Sequence, residues 1–86
     1  MSAIILIFRC RNDALLLRSF LLANNIFAKV VDAPRQLSSS CGLAIEVPNY
    51  NAIFLQDLLR NSYKDNLVVA LYNVLWRNGN RSFEKI

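Results

Sequence analysis

Residues 3–8 of the chain read AIILIF, apolar at every position. A strand with one face in water alternates apolar and polar side chains, so a run without alternation reads as a strand covered on both faces, central in a sheet. A second such run, LVVALY at 67–72, makes the same demand later in the chain. Both fall far short of the roughly 20 residues that cross a bilayer, and no basic residue precedes the first. The expectation is no membrane segment, no signal peptide and a cytoplasmic location.

Between these runs the pattern shifts to helical spacing. Asn12 reads as an N-cap, Asp13 follows, and Ala14, Leu17 and Leu21 fall on one stripe with Phe20 beside it. Asn24 and Asn25 suit a left-handed helix end, after which 27–32, with Val30 and Val31, reads as a second strand. A polar loop over 33–42 leads to a third strand over 43–47, stopped by Pro48. Asn49 or Asn51 then caps a second helix whose apolar stripe is Phe54, Leu55, Leu58 and Leu59, with Arg60 near its negative end. Residues 67–76 form the fourth strand, RNGN a turn, and SFEKI a short edge strand folding back.

Strand, helix, strand, strand, helix, strand is the ferredoxin-like order, an α+β fold with two helices on one face of a four-stranded antiparallel sheet. At 86 residues the chain is expected to be a single domain over 1–86. It is 55% hydrophobic, more than a solvated monomer of this size needs, and its inner strands are apolar on both faces. A homodimer that covers the sheet's outer face is therefore expected.

Composition excludes several chemistries. There is no histidine, which removes Ser-His-Asp and Cys-His catalysis, and two cysteines without histidine make neither a zinc site nor a disulfide framework. No metal or cofactor is expected. The net charge of +4 comes from scattered basic residues, a weak case for nucleic acid. RNA binding on an open sheet ranks last, since the first and third strands lack stacking aromatics.

One segment does not read as packing. Residues 34–44, PRQLSSSCGLA, set an arginine, three serines, a thiol and a glycine side by side. In the expected topology the end of the first strand, the start of the first helix and the start of the third strand share one edge of the molecule. Cys10 and Cys41 then become possible neighbours, although a disulfide needs Cα atoms roughly 4.4 to 6.8 Å apart. Cys41 would lie near the first helix's N-terminus, whose N–H groups and positive dipole end favour a sulfur anion, with Arg9, Arg11 and Arg35 at the same end. Ser38, Ser39 and Ser40 can donate to such an anion, Gly42 would allow a positive-φ turn, and Pro34 would stiffen the loop entry. Against this, Cys10 reads as a small buried hydrophobe, the serines as a solvated loop and the arginines as solubilising groups.

The segment resembles the P-R-x-x-S-S-S-C-G-L-A signature of a family of small selenium/sulfur carrier-like proteins, which also share the apolar first strand, a helix opening near an Ala-Leu pair such as Ala14–Leu15, and an apolar second helix. The RCRN around Cys10 is not part of that signature, and the first helix lacks the family's mid-helix glutamate. The resemblance implies a cytosolic accessory protein that holds sulfur or selenium on Cys41 as a persulfide or selenopersulfide. It implies a cysteine desulfurase, a sulfurtransferase or a selenium-metabolism enzyme as partner, and a non-catalytic carrier rather than a turnover enzyme. A different class stays open beside it: a ferredoxin-like dimeric binding or regulatory module whose serine loop binds a small anion or a protein partner, with Cys41 merely packed.

Overall fold

The computed structural model describes residues 3–37 and 41–86. Its elements are β1 (Ala3–Ile7), α1 (Arg11–Ala23), β2 (Lys29–Asp32), β3 (Leu43–Pro48), α2 (Ala52–Asn61), a 3₁₀ turn (Asp65–Leu67), β4 (Ala70–Arg77) and β5 (Asn80–Lys85). The strands form one antiparallel sheet in the order β2-β3-β1-β4-β5. β1 is central, as its unbroken apolar run requires. β1 lies between β3 and β4, but the sheet has five strands rather than the expected four: the C-terminal segment pairs with β4 from Tyr72↔Lys85 to Arg77↔Asn80. Its turn is Asn78–Gly79, with φ of 52° and 79°, the pair of left-handed conformations that matches the twist of a two-residue hairpin.

Both helices lie on one face. Ile4, Leu6 and Phe8 of the first strand segment pack with Ile45 and Val47 of β3 and with Ala14, Leu17, Leu21, Leu55 and Leu59 of the helices. The α1 stripe is thus the expected one. On α2, Leu55 and Leu59 are buried and Leu58 partly so, but Phe54 points outward at 65% exposure. It lies one residue off the buried stripe, a position the wide reading of the apolar face did not separate.

Helix ends follow local chemistry. α1 opens two residues earlier than expected, at Arg11, with Cys10 in extended conformation (φ −144°, ψ 160°) at the N-cap; Asn12 is inside the first turn. At its far end Asn25 is left-handed (φ 62°), Ile26 N–H donates to Leu21 O at 2.9 Å and Asn25 N–H to Leu22 O at 3.1 Å, and buried Ile26 closes the motif against the core. At α2 the cap is Asn51 rather than Asn49, its Oδ1 accepting from Ile53 N at 2.8 Å and Phe54 N at 3.3 Å. Asn49 instead makes a left-handed turn (φ 56°) after Pro48. β2 starts two residues later than expected, and β4 starts at Ala70 because 65–67 wind into the 3₁₀ turn.

The other face of the sheet has its own cover. Ile5, Ile7, Ala44 and Val74 are buried there together with Leu37, a residue of the loop between β2 and β3. Tyr72 and Phe83 from the hairpin add to the same cluster. Ile5 and Ile7, at 0% and 2% exposure, are therefore shielded within one chain. These two side chains need no second subunit to bury them, while the expected homodimer rests also on the chain's 55% hydrophobic content.

Candidate functional site

The loop from Ala33 to Gly42 is anchored at both ends. Ala33 N–H donates to Gly42 O at 2.9 Å, continuing the β2–β3 pairing by one rung past Asp32↔Leu43. Inside it, Leu37 N–H donates to Pro34 O at 3.0 Å, a tight turn that exposes Arg35 and Gln36 and buries Pro34 and Leu37. Pro34 does more than stiffen the entry, since it sits against protein rather than solvent. Reading the loop as polar missed Leu37, the residue that fastens it beneath the sheet. A single leucine among polar neighbours carries no periodic signal.

Gly42 has φ +73°, as the reading of the turn required, and a Cβ there would meet no atom within 4 Å. Backbone conformation, not crowding, is what calls for glycine at this position. The turn brings Cys41 back over the sheet's edge on the helix side, where it packs partly buried against the main core. Its sulfur lies 3.6 Å from the carbonyl oxygens of both Phe8 and Leu43, acceptors for the thiol proton. The ends of β1 and β3 therefore meet at Cys41, as the topology predicted.

The two cysteines exchange their expected environments. Cys10, read as a buried hydrophobe, is exposed at the N-cap of α1, where its side chain makes no capping hydrogen bond. Cys41 is the one packed against the core. The two are not bridged. Of the basic residues, Arg9, Arg11 and Arg35 are all exposed; Arg9 Nη2 donates to Asn66 O at 3.3 Å, tying the β1–α1 connection to the 3₁₀ turn. Ser38, Ser39 and Ser40 lie outside the described residues. Among the described residues no group of three His, Cys, Asp or Glu side chains is placed to hold a metal ion, and no helix is long and apolar enough to cross a membrane.

The model of the family described as "putative Se/S carrier protein-like" matches residues 3–70. The chain belongs to this family. The match runs from the first residue of β1 to the first residue of β4 and contains Cys10, Cys41 and the whole connecting loop. The rest of the C-terminal hairpin lies beyond it. Searches of curated proteins and of solved structures gave no match.

Proposed function

We propose that the protein carries sulfur or selenium on Cys41, as a persulfide or selenopersulfide, between a donor and an acceptor enzyme. Membership of the carrier-like family, with Cys41 set at the meeting point of β1 and β3, is the observation that supports this reading. The fold is read as a ferredoxin-like core extended by β5, in a protein of the cytoplasm. Donors of the right chemistry are cysteine desulfurases and sulfurtransferases, and an enzyme of selenium metabolism is a fitting acceptor.

The loading step is thiol exchange. The Cys41 sulfur, deprotonated, attacks the terminal sulfur of a donor persulfide; the new S–S bond forms as the donor's S–S bond breaks and the electron pair leaves on the donor cysteine. The chain's own contribution is placement. Gly42 turns the sulfur inward, Phe8 and Leu43 hold it through the thiol proton, and Leu37 pins the loop that flanks it. After loading, the Cys41 sulfur has no hydrogen to give to those two carbonyls, so the loaded side chain must turn away from them. Ser38, Ser39, Ser40 and Arg35 are the groups proposed to receive the outer anion.

A second reading is favoured by one observation, the packing of Cys41 against the main core. In it the thiol is structural and the loop binds a small anion or a partner protein. Intact mass after incubation with a small-molecule persulfide donor separates the two. In the Cys10→Ser background, a gain of one sulfur atom that disappears when Cys41 is also replaced by Ser supports the carrier; an equal gain without Cys41, or none with it, overturns it.

A further inference from the structure

We infer that Cys10 is the resolving thiol of the carrier, attacking loaded Cys41 to release its cargo as hydrosulfide or hydroselenide; this rests on the carrier reading above. Three features of the structure lead there. First, the β1–β3 ladder ends at Ile7↔Ala44, and Cys10 lies as many residues beyond Ile7 as Cys41 lies before Ala44. Second, the Cys41 sulfur touches the carbonyl of Phe8, and two residues of backbone, a reach of at most about 7 Å, separate Phe8 from Cys10. Third, Cys10 is exposed at the N-cap with no capping hydrogen bond from its side chain, so nothing in α1 requires a thiol there. An asparagine or serine would cap better.

The step balances without an outside oxidant. The Cys10 thiolate, its proton lost to solvent, attacks the inner sulfur of the Cys41 persulfide. A Cys10–Cys41 disulfide forms, the bond between the inner and outer atoms breaks, and the outer atom leaves with the electron pair, reduced by two electrons as the two cysteines become a disulfide. For a selenopersulfide the leaving group is hydroselenide. A dithiol reductant then resets the pair. Loading itself prepares the attack, because it removes the proton that holds the inner sulfur at the Phe8 and Leu43 carbonyls.

The experiment follows the reduced full chain after loading from a persulfide donor, once the donor has been removed, by intact mass and by a sulfide-trapping fluorophore. The expected result is that wild type releases hydrosulfide and ends as a monomer lighter by the two thiol hydrogens. Cys10→Ser should keep its sulfur adduct about tenfold longer or more, since it lacks the intramolecular nucleophile. Equal adduct lifetimes in wild type and Cys10→Ser, with no disulfide formed, overturn the inference while leaving Cys41 a carrier. A parallel treatment of unloaded protein with oxidised glutathione tests the geometry alone: an internal disulfide supports it, and stable mixed disulfides on both cysteines refute it. If no variant loads, the carrier reading fails and the release step falls with it, even where glutathione closes the disulfide.

Discussion

The sulfur of Cys41 lies 3.6 Å from the backbone carbonyl of Phe8, so a residue from the loop after β2 closes the end of the central strand. That contact joins parts of the chain more than thirty residues apart and sets the thiol between core and solvent. Access should therefore rank the two cysteines. Under native conditions an alkylating probe should modify exposed Cys10 faster than half-buried Cys41, and in denaturant the difference should vanish. Peptide mapping of partly labelled protein checks this; faster native labelling of Cys41 would contradict the packing described.

Replacing Cys41 by Ser should leave the fold intact, with a stability change within about 1 kcal/mol, because a hydroxyl can donate to the same two carbonyls. Urea denaturation of the variant measures it. Lost loading is then attributable to lost chemistry rather than lost structure.

Leu37→Ala should cost about 2 kcal/mol, at the low end for a leucine in a core since the side chain keeps 8% exposure. A shift of the urea midpoint at constant slope is the readout. The variant should also speed alkylation of Cys41, because the loop loses its anchor under Ile7 and Ala44. A neutral Leu37→Ala would mean that the second face is covered in some other way.

Gly42→Ala should cost about 1 kcal/mol for the left-handed conformation alone, since no neighbouring atom opposes a Cβ. Gly42→Asn should be milder, as asparagine visits that region more readily. Finding Ala and Asn equally harmless would argue that the turn relaxes to another conformation.

Asn51→Ala should cost about 1 kcal/mol, the worth of a cap that accepts from two N–H groups at the start of α2, and Asn51→Asp should restore it. Thermal unfolding of the three forms decides between a cap and a mere surface residue.

Much of the architecture could be read before the structure because it rests on short-range rules. The unbroken apolar run placed β1 in the middle, the Ala14–Leu17–Leu21 spacing aimed α1 at the sheet, and Asn78–Gly79 announced the hairpin. Gly42's left-handed turn and the meeting of Cys41 with the end of β1 were also accessible, the second through topology alone. What escaped depends on tertiary partners. SFEKI reads as a short edge strand folding back, but its full six-residue pairing with β4 does not show, because NRSFEK has little apolar content of its own. Leu37 looked like loop, since only the underside of Ile5 and Ile7 gives it a place to be buried. The swapped environments of Cys10 and Cys41 follow from one bend after Phe8 and one at Gly42, which redirect side chains in ways no spacing reveals.

The two rims of the sheet bear on how the protein behaves in a crowded solution. β2, at one rim, has only four residues and carries Lys29 and Asp32; β5, at the other, sets Arg81, Glu84 and Lys85 along its length. Short or charged outer strands resist the edge-to-edge recruitment that turns open sheets into polymers. Both rims of a sheet this rich in β-branched and aliphatic residues are thereby guarded against that recruitment.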